Sequence, residues 1–282
     1  KDLIQFPLIG AVKPWQAVFL LIGIPGVFLA LLSFTMPEPA RRGVRKQAQQ
    51  QPLVESVISS YPTLFAFIRS RKPFFFHHYV GFGLASTGFA GAAAWYPAHM
   101  GREFGWSGSQ IGLGLGLAMI VGGFVGKIVC GYCVDVLYRR GHRDAQFRWY
   151  AGCLVAATPV GLIAVTSDSP WVFVGGFALF QALLSPLAAV YVASLNLVTP
   201  NELRGVGVAL FGATVGLLAM SIGPILIAAF SDYLYGGNAI GLGIGTVYGI
   251  FLPLAALVLF RGRSAMQEAV EMASEWNGTG TN

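Results

Sequence analysis

The chain has 282 residues, of which 55% are hydrophobic and 11% charged, against roughly 25% charged in a typical soluble domain. Such a balance excludes water as the main solvent of the folded chain. The formal net charge of +6 raises a nucleic-acid partner, which the positions of the charges then remove.

The hydrophobic residues fall into seven blocks: Trp15–Met36, Phe74–Pro97, Ile111–Val134, Arg148–Thr166, Trp171–Val198, Val206–Phe230 and Ala239–Phe260. About twenty residues at 1.5 Å each span a hydrocarbon core of roughly 30 Å. A membrane barrel would show segments of about ten residues alternating in polarity, and no block alternates. The expectation is an all-α membrane protein with seven transmembrane helices, a lone helix followed by a six-helix bundle.

All twelve acidic residues lie between or beyond the blocks, as do all Lys and Arg except Lys127 and the edge residue Arg148. With residue 1 outside, the inner segments hold Arg41, Arg42, Arg45, Lys46, Arg69, Arg71, Lys72, Arg139, Arg140, Arg143, Arg148, Arg204, Arg261 and Arg263, and the outer segments only Lys1, Lys13 and Arg102. Fourteen against three is a positive-inside bias that sets the orientation. The basic balance therefore reports topology, and no nucleic-acid motif accompanies it.

Residues 1–14 read as an outer loop, with no initiator Met and no signal peptide, so an N-terminal truncation is expected. Residues 15–36 stand apart as one span. The connection over 37–73 opens on PEPARRGVRKQAQQQ, polar and basic, a cytoplasmic linker. Within it Leu53, Val54, Val57, Ile58 and Tyr61 recur at helical spacing before TLFAFIRSRKP, which predicts a helix lying in the membrane surface. The later connections are short, so the six spans over 74–260 are antiparallel neighbours. The tail over 261–282 predicts a short amphipathic helix with a disordered end, and its Asn277 glycosylation pattern falls on the inner side.

Small residues sit inside the spans. Gly112/Gly116, Gly122/Gly126, Gly212/Gly216 and Gly241/Gly245/Gly249 repeat at intervals of four, a spacing that lets backbones approach in lipid, either statically or as smooth faces for sliding. Pro159, Pro186, Pro224 and Pro253 fall within spans and can kink them. Cys130-Gly-Tyr-Cys133 has redox spacing without a βαβ context, so these and Cys153 read as ordinary membrane cysteines.

Polar side chains at bilayer depth face protein or water. On a continuous helix Gln181, Ser185 and Asn196 form one stripe, with Tyr191 and Ser194 turned toward a neighbour. His77 and Trp95, eighteen residues apart, share a face with Gly81 and Gly88. These five, Gln181, Ser185, Asn196, His77 and Trp95, are the candidate cavity residues, with interhelical hydrogen bonding as the plainer reading. Lys127 is two turns from the inner edge and can snorkel out, and no span holds a proton relay of its own. No P-loop, metal-ligand cluster or nucleophile elbow occurs, so no cofactor, metal or enzymatic activity is expected.

The inner segment GYCVDVLYRRGHR, residues 131–143, resembles the loop signature of the major facilitator superfamily: a glycine, three residues, an aspartate, then a glycine with basic residues. No Arg follows Asp135 directly and the basic group arrives late. PWQAVFLLIGIPGVFLALL (14–32) is similar to that family's sixth helix, and TPNELRG (199–205) precedes a glycine-rich span ending GPILIAAFSD (223–232). The likeness is greatest to its spinster-like branch. It implies the sixth helix and C-terminal half of a twelve-helix secondary transporter, whose partners are a small organic or lipid-like solute, the bilayer and the absent N-terminal half. It further implies an inner-side gate at Gly131, Asp135, Arg139, Arg140 and Arg143, joined by Glu202 and Arg204 of TPNELRG, with Asp135 accepting from a helix N-terminus or pairing with Arg139, Arg140 or Arg143. The expected location is the plasma membrane, in bacteria the inner one. Organic-acid or sugar-acid permeases of another branch are the nearest alternative. A seven-helix receptor and a non-transporting scaffold stand further off, and a retinal protein would need a Lys in the last span, which has none.

Overall fold

The computed structural model describes residues 4–6, 10–37, 53–237 and 239–278, and the chain divides into two units, residues 1–46 and 47–282. In the first, β1 (Ile4–Phe6) pairs antiparallel with β2 (Gly10–Val12), Ile4 opposite Val12. This hairpin stands where a loop was expected. Gly10 takes a φ of +85°, a conformation that glycine adopts without a Cβ penalty. Helix α1 (Pro14–Ser33) starts on a proline at its first position, and the Lys13 N–H donates to Gln16 Oε1 at 2.9 Å. Phe19, Ile22 and Phe28 are all exposed; the helix is apolar all round, as a membrane-crossing segment of about 30 Å requires.

The second unit runs α2 (Leu53–Ser70), α3 (Lys72–Ala93), α4 (Tyr96–Glu103), α5 (Gly108–Arg139), α6 (Ala145–Thr166), α7 (Pro170–Leu184), α8 (Leu187–Val198), α9 (Asn201–Ala229), a π turn over Phe230–Leu234, α10 (Ile240–Arg261) and α11 (Arg263–Gly278). The polar part of the linker, residues 38–52, and the tail end, 279–282, lie outside the described residues.

Among the described residues, six helical stretches are long and apolar enough to cross a membrane: α1, α5, α6, α7 with α8, α9 with its π turn, and α10. The seventh expected span, α3, has 22 residues but falls below that hydropathy because His77, His78, Ser86 and Thr87 interrupt it. Both expected flanking helices form. In α11, Met266, Ala269, Val270 and Ala273 are buried, the i, i+3, i+4, i+7 stripe of an amphipathic helix.

Neighbouring helices pack in the order α9, α3, α10, α6, α7, α5. Phe74, Phe82, Phe147 and Tyr150 are buried at the centre, Phe74 stacking on Phe147 at 5.8 Å and the Tyr150 hydroxyl donating to Leu184 O at 3.0 Å. In lipid such contacts stabilise through van der Waals packing rather than expulsion of water. Two glycine pairs bring backbones together. A Cβ on Gly122 or Gly126 would overlap the carbonyl oxygens of Ala178 and Ala182 on α7, and Gly91 and Gly223 meet backbone to backbone between α3 and α9. Of the other expected glycines, Gly241 also closes on a backbone, a Cβ there overlapping the Val165 carbonyl oxygen of α6, and Gly245 makes ordinary side-chain contact, whereas Gly112, Gly116, Gly212, Gly216 and Gly249 have nothing within 4 Å of a built Cβ.

Candidate functional site

Helix α5 carries the signature glycine and aspartate down to its C-terminal end. Lys127, Gly131 and Asp135 follow one another at four-residue steps and are all exposed, so they share one helix face. Gly131 faces open space. The Asp135 carboxylate makes no ion pair with Arg139, Arg140 or Arg143, which corrects that half of the expectation. Arg139 Nε instead reaches the Asp135 main-chain oxygen at 3.4 Å, Arg143 lies over the Tyr138 ring at 4.9 Å, and Arg140 is exposed. These arginines fold back on their own helix end, and the turn closes at Gly141 with φ +91°. Among the described residues the Asp135 carboxylate has no ion-pair partner.

A residue not singled out from the sequence organises the same connection. Asp144 occupies the N-cap position of α6, its side chain making no hydrogen bond to the helix start, and is fully buried. Its carboxylate accepts from Arg148 Nε at 3.2 Å and from Gln267 Nε2 at 3.1 Å, with Arg263 Nε 3.9 Å away. It lies at the positive end of the α6 dipole, where an anion is stabilised. An Asp at a helix start with Arg four residues on is a readable signal; the α11 partners are not, because they come from the far end of the chain. A second tie holds α11: Arg71 donates to Ala269 O at 3.2 Å and lies 5.0 Å over the Phe67 ring. Burial there pulls the Arg71 guanidinium below its ordinary value, and it remains charged.

Glu202 and Arg204 sit in the first turn of α9. Arg204 caps the end of α8, donating from Nε to Thr199 O at 2.9 Å and from its terminal nitrogen to Asn201 Oδ1 at 3.3 Å.

The five cavity candidates are not gathered around one space. Gln181 and Ser185 lie at the α5 interface: Gln181 is buried with its Oε1 lacking a partner, and the Ser185 hydroxyl is 3.5 Å from Gly123 O. Asn196 belongs to the next helix, because the span breaks at Ser185–Pro186, where proline cannot supply the N–H that continues the helix. The projected stripe therefore does not run through. His77 packs on Gly262, and Gly81 and Gly88 pack on Leu259 and Leu252, all toward α10 and its end. Trp95 leaves that face because α3 ends at Ala93, and its indole N–H donates to Pro224 O of α9 at 3.0 Å. His78 is enclosed by Phe74, Phe82 and Phe211 and donates to Tyr191 O at 3.1 Å. Tyr191 thus meets a neighbouring helix, as its position in the span implied.

Long apolar helices, glycine-mediated packing and basic inner connections define an integral, multi-pass membrane protein. The family model of the Major Facilitator Superfamily matches residues 6–140 and 79–278 in two overlapping stretches. The chain belongs to that superfamily, and the relatives it matches are named for membrane transport. It is 27% identical over 252 residues to the cis,cis-muconate transport protein of Acinetobacter baylyi, covering 87% of this chain and 57% of that protein. An MFS-type efflux pump of Mycolicibacterium smegmatis is 26% identical over 238 residues, 80% of this chain and 51% of that protein. The chain thus spans little more than half the length of these curated relatives. Its fold is similar to the crystal structure of a bacterial homologue of the human lysosomal transporter Spinster in an inward-facing, unoccupied conformation. That match has a TM-score of 0.54 at 16% identity and covers 94% of this chain and 60% of the other.

Proposed function

We propose that this chain forms the sixth helix, linker and C-terminal half of a secondary transporter that moves a small organic solute by alternating access. The observation that carries the proposal is the exposed α5 face on which Gly131 is open and Asp135 makes no ion pair among the described residues. An N-terminal half seated on that face would complete the site: a helix N-terminus brought against Asp135 supplies the donors its carboxylate lacks and closes the inner side. Separation breaks the contact and opens the path.

The solute is an organic acid in preference to a lipid-like molecule. The relative named for cis,cis-muconate transport supports that choice, and so does Lys127, a cation placed well inside α5 on the same open face. A cation two turns inside the edge either snorkels out or takes an anionic partner, and a substrate carboxylate would be one.

The test is uptake of cis,cis-muconate by full-length protein in proteoliposomes. Asp135→Asn is expected to lower the rate about tenfold or more, the scale of losing a charge-assisted contact, with unchanged elution on size exclusion. Lys127→Met is expected to raise KM for the dianion. Wild-type uptake by Asp135→Asn removes the gate, and an unaltered KM in Lys127→Met removes the organic-acid assignment.

A further inference from the structure

On the flank where α6 packs on α10, a groove of about 560 Å³ runs along Ala151, Gly152, Val155 and Ala156 of one helix and Pro253 and Leu257 of the other. Its walls are apolar, and at one end they stop at Arg148 and Phe260. From Arg148 to Ala156 the helix rises about 12 Å, within the depth of one leaflet of a hydrocarbon core about 30 Å thick. The positive-inside bias puts the arginine end at the inner surface.

The charge at that end is built, not scattered. Buried Asp144 is shared by Arg148, at 3.1 Å, and Arg263, at 3.9 Å, so one carboxylate holds two guanidinium groups and leaves an excess positive charge. Arg263 is fixed further by lying 3.7 Å over the ring of Phe260, which itself lines the groove. Exposed Arg261 adds a second uncompensated cation at the same helix end. An apolar slot one leaflet deep, opening on arginines at its polar end, matches an acyl chain attached to an anionic headgroup.

We propose that this groove is a binding site for an anionic phospholipid of the inner leaflet, with one acyl chain along α6 and α10 and its phosphate against Arg148 and Arg261. The site lies apart from the exposed α5 face and does not depend on the identity of the transported solute. Asp144 acts here by positioning the arginines.

Gly152 provides a test that spares the fold. A Cβ built there meets nothing within 4 Å, so Gly152→Leu is accommodated by the protein while its side chain occupies the slot. Gly175 of α7 is equally open and exposed, and Gly175→Leu is the control. Full-length protein in detergent is titrated with palmitoyl-oleoyl phosphatidylglycerol or the matching phosphatidylcholine, and retained lipid is counted by native mass spectrometry. The expected result is preferential retention of phosphatidylglycerol. Gly152→Leu then weakens retention about tenfold, the scale of displacing roughly two buried methylenes. Gly175→Leu leaves it unchanged, and Arg261→Gln narrows the preference between the two lipids. Equal retention of both lipids by the wild type overturns the headgroup assignment. Full phosphatidylglycerol binding by Gly152→Leu, or an equal loss in Gly175→Leu, overturns the site.

Discussion

Asp135 and Asp144 belong to the same inner connection, nine residues apart, and occupy opposite environments. Asp144 is fully buried, with Arg148, Arg263 and Gln267 around its carboxylate. Asp135 is exposed, and the arginines beside it turn back onto the end of α5. A buried carboxylate survives only when its partners are in place, so Asp144 is committed to holding this bundle together. An exposed carboxylate has no such obligation and is available for the contacts of the cycle proposed above. Asp144 should therefore govern stability and Asp135 turnover.

Removing the buried member is the harshest way to break that contrast. Asp144→Ala leaves the Arg148 guanidinium and the Gln267 amide without their acceptor; these partners stay partly exposed, so the loss is expected at about 3 kcal/mol. The apparent Tm of the detergent-purified full-length protein is expected to fall by roughly 10 °C, with uptake lost alongside the fold. Asp135→Asn should leave the melting curve where it was. Comparable destabilisation by both variants would erase the distinction.

The glycines of α5 draw the same line. Gly122 and Gly126 carry the α7 interface, whereas Gly131 faces open space. In Gly126→Ala the added Cβ overlaps the backbone of Ala182, which cannot swing aside, and overpacking of this kind costs about 1–3 kcal/mol. Gly131→Ala meets nothing in this bundle and gains roughly 0.5–1 kcal/mol of helix propensity. Its expected phenotype is a Tm at or above wild type with slower uptake, because a segment seating on α5 in the closed state would meet the new methyl. Equal melting temperatures for the two variants would show that the two faces of α5 are not different.

That division marks what the residues disclose by themselves. Spanning helices are legible because twenty apolar residues in a row have one economical conformation in lipid, and the amphipathic stripe of α11 is legible by the same logic of period. Spacing does not say which face meets a neighbour: Gly112/Gly116 and Gly122/Gly126 read identically, yet only the second pair touches α7. Projections along a helix also fail wherever the helix ends. Trp95 left the His77 face because α3 stops at Ala93, and Asn196 left the Gln181 stripe because the span breaks at Pro186. The arginine signature marked the inner connection, but it pointed to Asp135 and passed over Asp144, whose environment is completed, beyond nearby Arg148, by residues more than a hundred positions away.

The gentlest probe of the contrast is Gln267→Leu. Of the two α11 side chains near Asp144, Gln267 is within hydrogen-bond distance at 3.1 Å, whereas Arg263 stands at 3.9 Å, so the amide is the direct link from that helix to the carboxylate. Deleting it leaves the Arg148 pair intact and is expected to cost about 1 kcal/mol, a small change in global Tm. The loss should concentrate in α11, which keeps its buried stripe, the Arg71 bond to Ala269 O and the longer Arg263–Asp144 pair. Local opening free energies differ across one structure and are read by amide exchange. Faster exchange over residues 263–274 with unchanged protection in α5 and α6 is the expected pattern. Acceleration spread evenly over the bundle would mean that α11 is part of the core and not a strap tied to Asp144.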